Sequence, residues 1–129
     1  MASLNNKVGP VWVIAEQIDC RLLAVSTQLI GQARRLADEL HTSVEAILLG
    51  DDVERQTQNL MAAGADRVYL GNAPQLANYH SDTYTDIIVN LAEAHKPEIL
   101  LIGSTAMGRE LAPLVAARLR TGLTAHCID

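Results

Sequence analysis

The chain has no phenylalanine, and its aromatic residues are Trp12, Tyr69, Tyr79 and Tyr84. Base stacking needs aromatic faces, and phosphate-backbone binding needs a basic face. Here 10 Lys+Arg are scattered among 15 Asp+Glu, for a net charge of −5. Nucleic acid is therefore not an expected partner. Cysteine is scarce too. Cys20 and Cys127 make neither a disulfide framework nor a metal site and read as free thiols of a reducing compartment. No stretch approaches the roughly 20 apolar residues that cross a bilayer. Residues 1–7 show neither the apolar run of a signal peptide nor the Arg-rich pattern of a transit peptide. The expectation is a cytoplasmic protein with no direct membrane insertion.

What is present is ordinary globular material, 49% hydrophobic and 19% charged over 129 residues. That length favours one domain, which buries about two-thirds of the surface of its unfolded chain. Short runs at 11–15, 44–49, 67–70, 99–102 and 124–128 read as strands, the apolar ones as strands buried on both faces. Helical spacing fills the intervals. The first helix carries inward residues from Leu29 to Leu40, with Ser26 or Thr27 as its cap. Arg34 and Arg35 face outward, with Asp38 and Glu39 one turn on. Gly31 costs this helix about 1 kcal/mol relative to alanine and is expected to allow close packing on the sheet. The second helix starts at Asp51 or Asp52, where the acidic cluster with Glu54 offsets the helix dipole, and ends at Gly64. Residues 71–80 read as loop. The third helix is capped by Ser81 or Asp82 and stopped by Pro97. The fourth runs from Ser104 or Thr105 to about Leu119 and closes near Gly122.

Strand and helix alternate throughout. This is the pattern of an α/β fold with a doubly wound, mainly parallel sheet and right-handed crossovers, a Rossmann-like three-layer sandwich. The last strand-like run has no closing helix after it, so the chain is expected to be part of a larger polypeptide.

The stretch most open to chemistry is GSTAMGRE, from Gly103 to Glu110. Gly103 and Gly108 have the spacing of the glycines in the P-loop GxxxxGK[ST]. They stand beyond a strand end, where ligands bind in such sheets, and at a helix start, which favours anions. Ser104 and Thr105 offer hydroxyls, and Arg109 offers a two-pronged grip on phosphate. Gly103, Ser104, Thr105, Gly108 and Arg109 are thus the candidate anion or nucleotide site. Against a working P-loop, Arg109 replaces the lysine and Glu110 replaces the Mg²⁺-ligating hydroxyl and adds negative charge. Pro113 is expected to break the helix one turn in, with a second segment from about Ala112. The preferred reading is structural, with Ser104 or Thr105 as cap and Arg109 and Glu110 in local or interfacial salt bridges.

No catalytic residue or metal site is expected. His41, His80, His95 and His126 lack ligand spacing. Cys127 beside His126 on a strand points to the other face, and Ser104 lacks the GxSxG elbow.

The segment GSTAMGRELAPLVAARLRTGLTAHC resembles the stretch of electron transfer flavoprotein alpha subunits (the FixB-like family) that reads approximately G-[AS]-[TS]-x-x-GR-[DE]-LAPRVAARL-x-TGL-x-A-[DH]-C. VWVIAE, ARRLADEL, AILLG, GADRVYLG and KPEILLIGST agree in order, so the resemblance covers nearly all of residues 11–129. Leu114 departs from it, standing where the family commonly has arginine. The resemblance implies an adenine-nucleotide-hydrolase-like N-terminal domain spanning 1–129. It implies a heterodimer with a beta subunit, and an electron carrier rather than an enzyme. It implies transfer from acyl-CoA or other dehydrogenases to a quinone reductase or other acceptors. FAD is then expected in the full-length protein, on a C-terminal domain absent from this sequence, and none on these 129 residues. The corresponding nucleotide site of the alpha domain is expected to be empty, and the exposed partner surface to favour self-association of the isolated piece. One rival is a free-standing AMP or ATP module of the universal-stress type, whose longer glycine-rich signature is missing. The other is a phosphate-using enzyme built on Ser104, Thr105 and Arg109, for which no base stands nearby.

Overall fold

The computed structural model describes residues 8–119 and the backbone of the strand Thr124–Ile128. The expectations about Gly122 and about the side chains of His126 and Cys127 lie outside the described residues.

The elements follow in the order β1 (Val11–Ala15), β2 (Gln17–Ile18), β3 (Arg21–Leu22), α1 (Ala24–Leu40), β4 (Val44–Gly50) and α2 (Gln56–Ala63). Then come β5 (Arg67–Asn72), a 3₁₀ turn (Pro74–Leu76), α3 (Ser81–His95), β6 (Ile99–Gly103), α4 (Ala106–Leu119) and β7 (Thr124–Ile128). Five strands form one parallel sheet in the order β5-β4-β1-β6-β7. The chain winds outward from β1 to β5, then returns to β6 on the other side of β1. The strand order therefore reverses between β1 and β6, and the crevice beyond their carboxyl ends is the topological switch point.

Alternation along each strand divides the core into two layers. Trp12, Ile14, Ile47, Leu100 and Ile102 pack with Ile88 of α3 and with Leu111 and Val115 of α4. Val13, Ala46, Leu48 and Leu101 pack with Leu29, Ile30 and Ala33 of α1 and with Leu60 of α2. One acid interrupts the apolar run of β4. Glu45 accepts the Trp12 indole N–H at 2.9 Å and the Tyr69 hydroxyl at 3.1 Å, which offsets its burial. Arg34 ties α1 to the α2–β5 connection, bonding Asp66 at 2.9 Å as well as the expected Asp38 at 3.1 Å.

Several boundaries differ from the sequence reading. α1 starts at Ala24 without a side-chain cap, because Ser26 is buried and bonded to the backbone of Glu16 instead. α2 starts at Gln56, later than Asp51 or Asp52. Asp52 sits in the left-handed region at φ 58°, and the Asn72 side chain takes its N–H at 2.7 Å. The acidic cluster thus forms a turn rather than a helix start. α3 begins at Ser81 itself, with His80 before it and no side-chain cap. The expected loop 71–80 holds the end of β5 and the 3₁₀ turn, whose Leu76 is buried and accepts the Tyr84 hydroxyl at 2.8 Å. The β2–β3 hairpin was not expected. Asp19 and Cys20 both have positive φ in its turn, as a two-residue I′ turn requires, but without the usual Asn-Gly signal. Pro113 does not split α4, which is one helix. Pro113 is exposed, as is Arg109, whose carbonyl loses its helical partner to the proline.

Gly31 does not support close packing either, since a Cβ placed on it meets nothing within 4 Å. Gly31→Ala is therefore expected to raise stability by up to about 1 kcal/mol. The urea midpoint at unchanged m value is the measurement, and a loss of stability contradicts the assignment.

Candidate functional site

The carboxyl ends of β1 and β6 bring together Glu16, Gly103, Ser104, Thr105 and the first turn of α4. Glu16 follows β1 directly, and its backbone is fixed by Ser26, whose Oγ accepts the Glu16 N–H at 2.8 Å. The side chain is driven inward, and the residue is only 4% exposed. Its two carboxylate oxygens lie 2.8 and 2.9 Å from the Thr105 Oγ1, which donates to them. The same hydroxyl accepts the Gly108 N–H at 3.0 Å. Thr105, not Ser104, is therefore the cap of α4, and it relays the helix start to a buried carboxylate.

The two glycines explain themselves by this packing. A Cβ on Gly108 would fall on the carbonyl oxygen of Gly103, well inside van der Waals contact, and 2.8 Å from Ile102. A Cβ on Gly103 would stand 2.9 Å from Val25 and 3.1 Å from Glu16 Oε2. Their P-loop-like spacing thus serves a tight seat of α4 on β6 and a space for Glu16. Arg109 is exposed and donates to Ser104 Oγ at 3.3 Å. Among the described residues it forms no ion pair, so the local form of the expected salt bridge is not made. Glu110 is exposed and makes no salt bridge there either. It faces Tyr79, whose phenol is pushed up first by burial and then by this neighbouring carboxylate. The negative charge at the helix start comes from Glu16 across the crevice rather than from Glu110.

Sequence reasoning passed over Glu16, treating it only as the end of a family-like stretch. An acid directly after a buried strand was the available signal. Beside it lies a small cavity of about 40 Å³, lined by Ala15, Gln17, Tyr79, Tyr84 and Met107 among others. Ligand pockets run to about 300–1,000 Å³. A larger groove of about 410 Å³ follows β5, lined by Tyr69, Leu70, Ile87 and Leu91 among others and sharing Leu49 with the small cavity. No cluster of His, Cys, Asp and Glu among the described residues could hold a metal ion. Among them, too, no helix is long and apolar enough to cross a membrane.

The electron transfer flavoprotein domain model matches residues 11–129. The electron transfer flavoprotein subunit alpha of Thermoanaerobacterium thermosaccharolyticum is 43% identical over 95% of this chain and 37% of its own. Protein FixB of Clostridium saccharobutylicum is 48% identical over 91% of this chain and 35% of its own. The chain belongs to the electron transfer flavoprotein family. A third relative is the acryloyl-CoA reductase electron transfer subunit beta of Anaerotignum propionicum, 41% identical over 95% of this chain and 33% of its own. The chain thus spans about a third of the length of these relatives. In three dimensions it is similar to a universal stress protein from Archaeoglobus fulgidus, with a TM-score of 0.61 and 13% identity over 95% of this chain and all of that one. That likeness establishes the adenine-nucleotide-hydrolase-like fold and nothing about ligands. Leu114, where the resemblance leads one to expect arginine, is 38% exposed on α4, at the surface rather than in the core.

Two predictions follow from the geometry. Gly108→Ala must push α4 off β6 and is expected to cost about 1–3 kcal/mol or more, read from urea unfolding; a neutral result contradicts the close contact. Glu16 supplies the second. Burial raises its carboxyl above the ordinary 4.5, and the Thr105 hydrogen bond only partly opposes this. A raised folded value gives a contribution to stability that is complete below the ordinary value and is lost as pH rises through the folded one. Glu16→Gln stays neutral throughout. Its Tm relative to wild type is therefore expected to be flat in acid and to climb as pH approaches neutrality. A difference independent of pH contradicts the burial of a charge.

Proposed function

We propose that this chain is the N-terminal domain of an electron transfer flavoprotein alpha subunit, and that it works as a scaffold. In this reading it docks the beta subunit and supports a separate FAD domain, and it holds no redox centre. The observation that carries it is the filled crevice: in a chain of this family, the place where the fold offers a nucleotide site holds the Glu16 carboxylate and its Thr105 partner. FAD then belongs to the part of the alpha subunit that this chain does not span. The electrons come from flavin dehydrogenases acting on acyl-CoA or other substrates. The relative named as an acryloyl-CoA reductase electron transfer subunit supports a CoA-linked redox partner. The universal-stress reading has the shared fold behind it and no feature of the crevice.

The test is co-expression with a tagged beta subunit from the same genome. A one-to-one complex by size-exclusion chromatography with light scattering is expected, together with a chain that alone shows no flavin absorbance and self-associates. Failure to co-elute overturns docking, and a reducible flavin on the isolated chain overturns the assignment of the redox centre elsewhere.

A further inference from the structure

We propose that Glu16 is the resident anion of this crevice: its carboxylate takes the position of a phosphate at the start of α4, and it is the residue that keeps phosphate monoesters out. The proposal is independent of docking and survives its failure.

Three observations on different elements converge on Glu16. The first is its place. It leaves β1 at the strand-order reversal, where α/β sheets bind ligands, and it faces the start of a 14-residue helix. The first N–H groups of any helix lack intrahelical partners and carry partial positive charge, which suits an anion.

The second is its burial without a cation. A carboxylate 4% exposed ordinarily needs a partner charge or several donors. Among the described residues, the salt bridges join Arg34 to Asp38 and Asp66, and Arg118 to Asp86. None involves Glu16. Its compensation comes from the Thr105 hydroxyl, which is itself tied to the Gly108 N–H. The Thr105 hydroxyl at the start of α4 thus stands where a counter-ion would.

The third is the space made for it. Gly103 leaves room for Oε2, where a Cβ would stand 3.1 Å away. Next to the carboxylate remains the cavity of about 40 Å³, large enough for water and far below a nucleotide pocket. Shortening Glu16 joins that cavity to the volume of the lost carboxylate. It also frees the Thr105 hydroxyl and removes a like charge from the path of a phosphate. Exposed Arg109, now bonded to Ser104 Oγ at 3.3 Å, lies on the same turn to close on the incoming anion. Glu110, the other acid of that turn, is exposed and water-screened, and so weakens rather than blocks the site.

The experiment titrates inorganic phosphate and AMP, at constant ionic strength in chloride, into the full 129-residue chain. Wild type, Glu16→Ala and Glu16→Ser are compared by calorimetry and thermal unfolding, with far-UV circular dichroism as the folding check. Wild type is expected to show no saturable phosphate binding. Both variants are expected to bind phosphate at least tenfold more tightly than wild type, with a phosphate-dependent rise in Tm. Adding Arg109→Ala to either variant is expected to remove most of the gain. If Glu16→Ala is unfolded in chloride, phosphate-induced refolding of it is the supporting result, because a ligand of the native state stabilises that state. The proposal is overturned if wild type binds phosphate saturably. It is overturned equally if neither variant responds to phosphate, or if the gained binding is indifferent to Arg109.

Discussion

A buried carboxylate that makes no salt bridge among the described residues organises the centre of this molecule. Glu16 pulls on three elements at once: β1 through its own backbone, α1 through Ser26, and α4 through Thr105. Desolvation works against such an arrangement, and the Thr105 hydroxyl at the start of α4 opposes it only in part. The glycines at 103 and 108 are consequences. One keeps clear of the carboxylate, the other lets α4 approach β6 closely enough for Thr105 to reach across. A looser seat of α4 would strand the charge.

The larger features were legible in the sequence because they are written in repeated patterns. Apolar runs and helical periodicity placed every strand of the main sheet and every long helix, and their alternation implied the parallel winding. The starts of helices were less legible, for a physical reason. Ser26 is a good cap by residue type, yet tertiary burial claimed its hydroxyl for Glu16. Asp51 and Asp52 suit a helix start, yet the Asn72 side chain captured the backbone N–H of Asp52 and held a turn. Pro113 is a breaker by rule, yet it sits on the exposed face of one continuous helix. For Ser26 and Asp52 a partner distant in sequence decided between two acceptable local structures.

The candidate site was half legible. Gly103, Thr105 and Gly108 do gather at the switch point, but Arg109 turned out to bond a neighbouring hydroxyl rather than an acid. Glu16 was invisible to motif reasoning because it lies 89 positions from Thr105 in the chain. A glycine spacing shared with P-loops carries no information about what occupies the loop's mouth. Here the spacing answers to helix–strand contact, which any crowded βα turn can demand.

This separates two meanings of structural likeness. The universal stress protein from Archaeoglobus fulgidus shares the fold at a TM-score of 0.61 and 13% identity, while relatives above 40% identity include two with electron-transfer names. A fold supplies a place for a ligand, and side chains decide whether the place is open. In a sheet of this winding the helix start will attract an anion from solution or from the chain itself. The intramolecular choice has an advantage for a scaffold. A carboxylate attached to β1 needs no ligand concentration to be present, so the seat of α4 on the sheet does not vary with the nucleotide pool. On the scaffold reading proposed above, such a domain offers its partner the same surface whatever the nucleotide level.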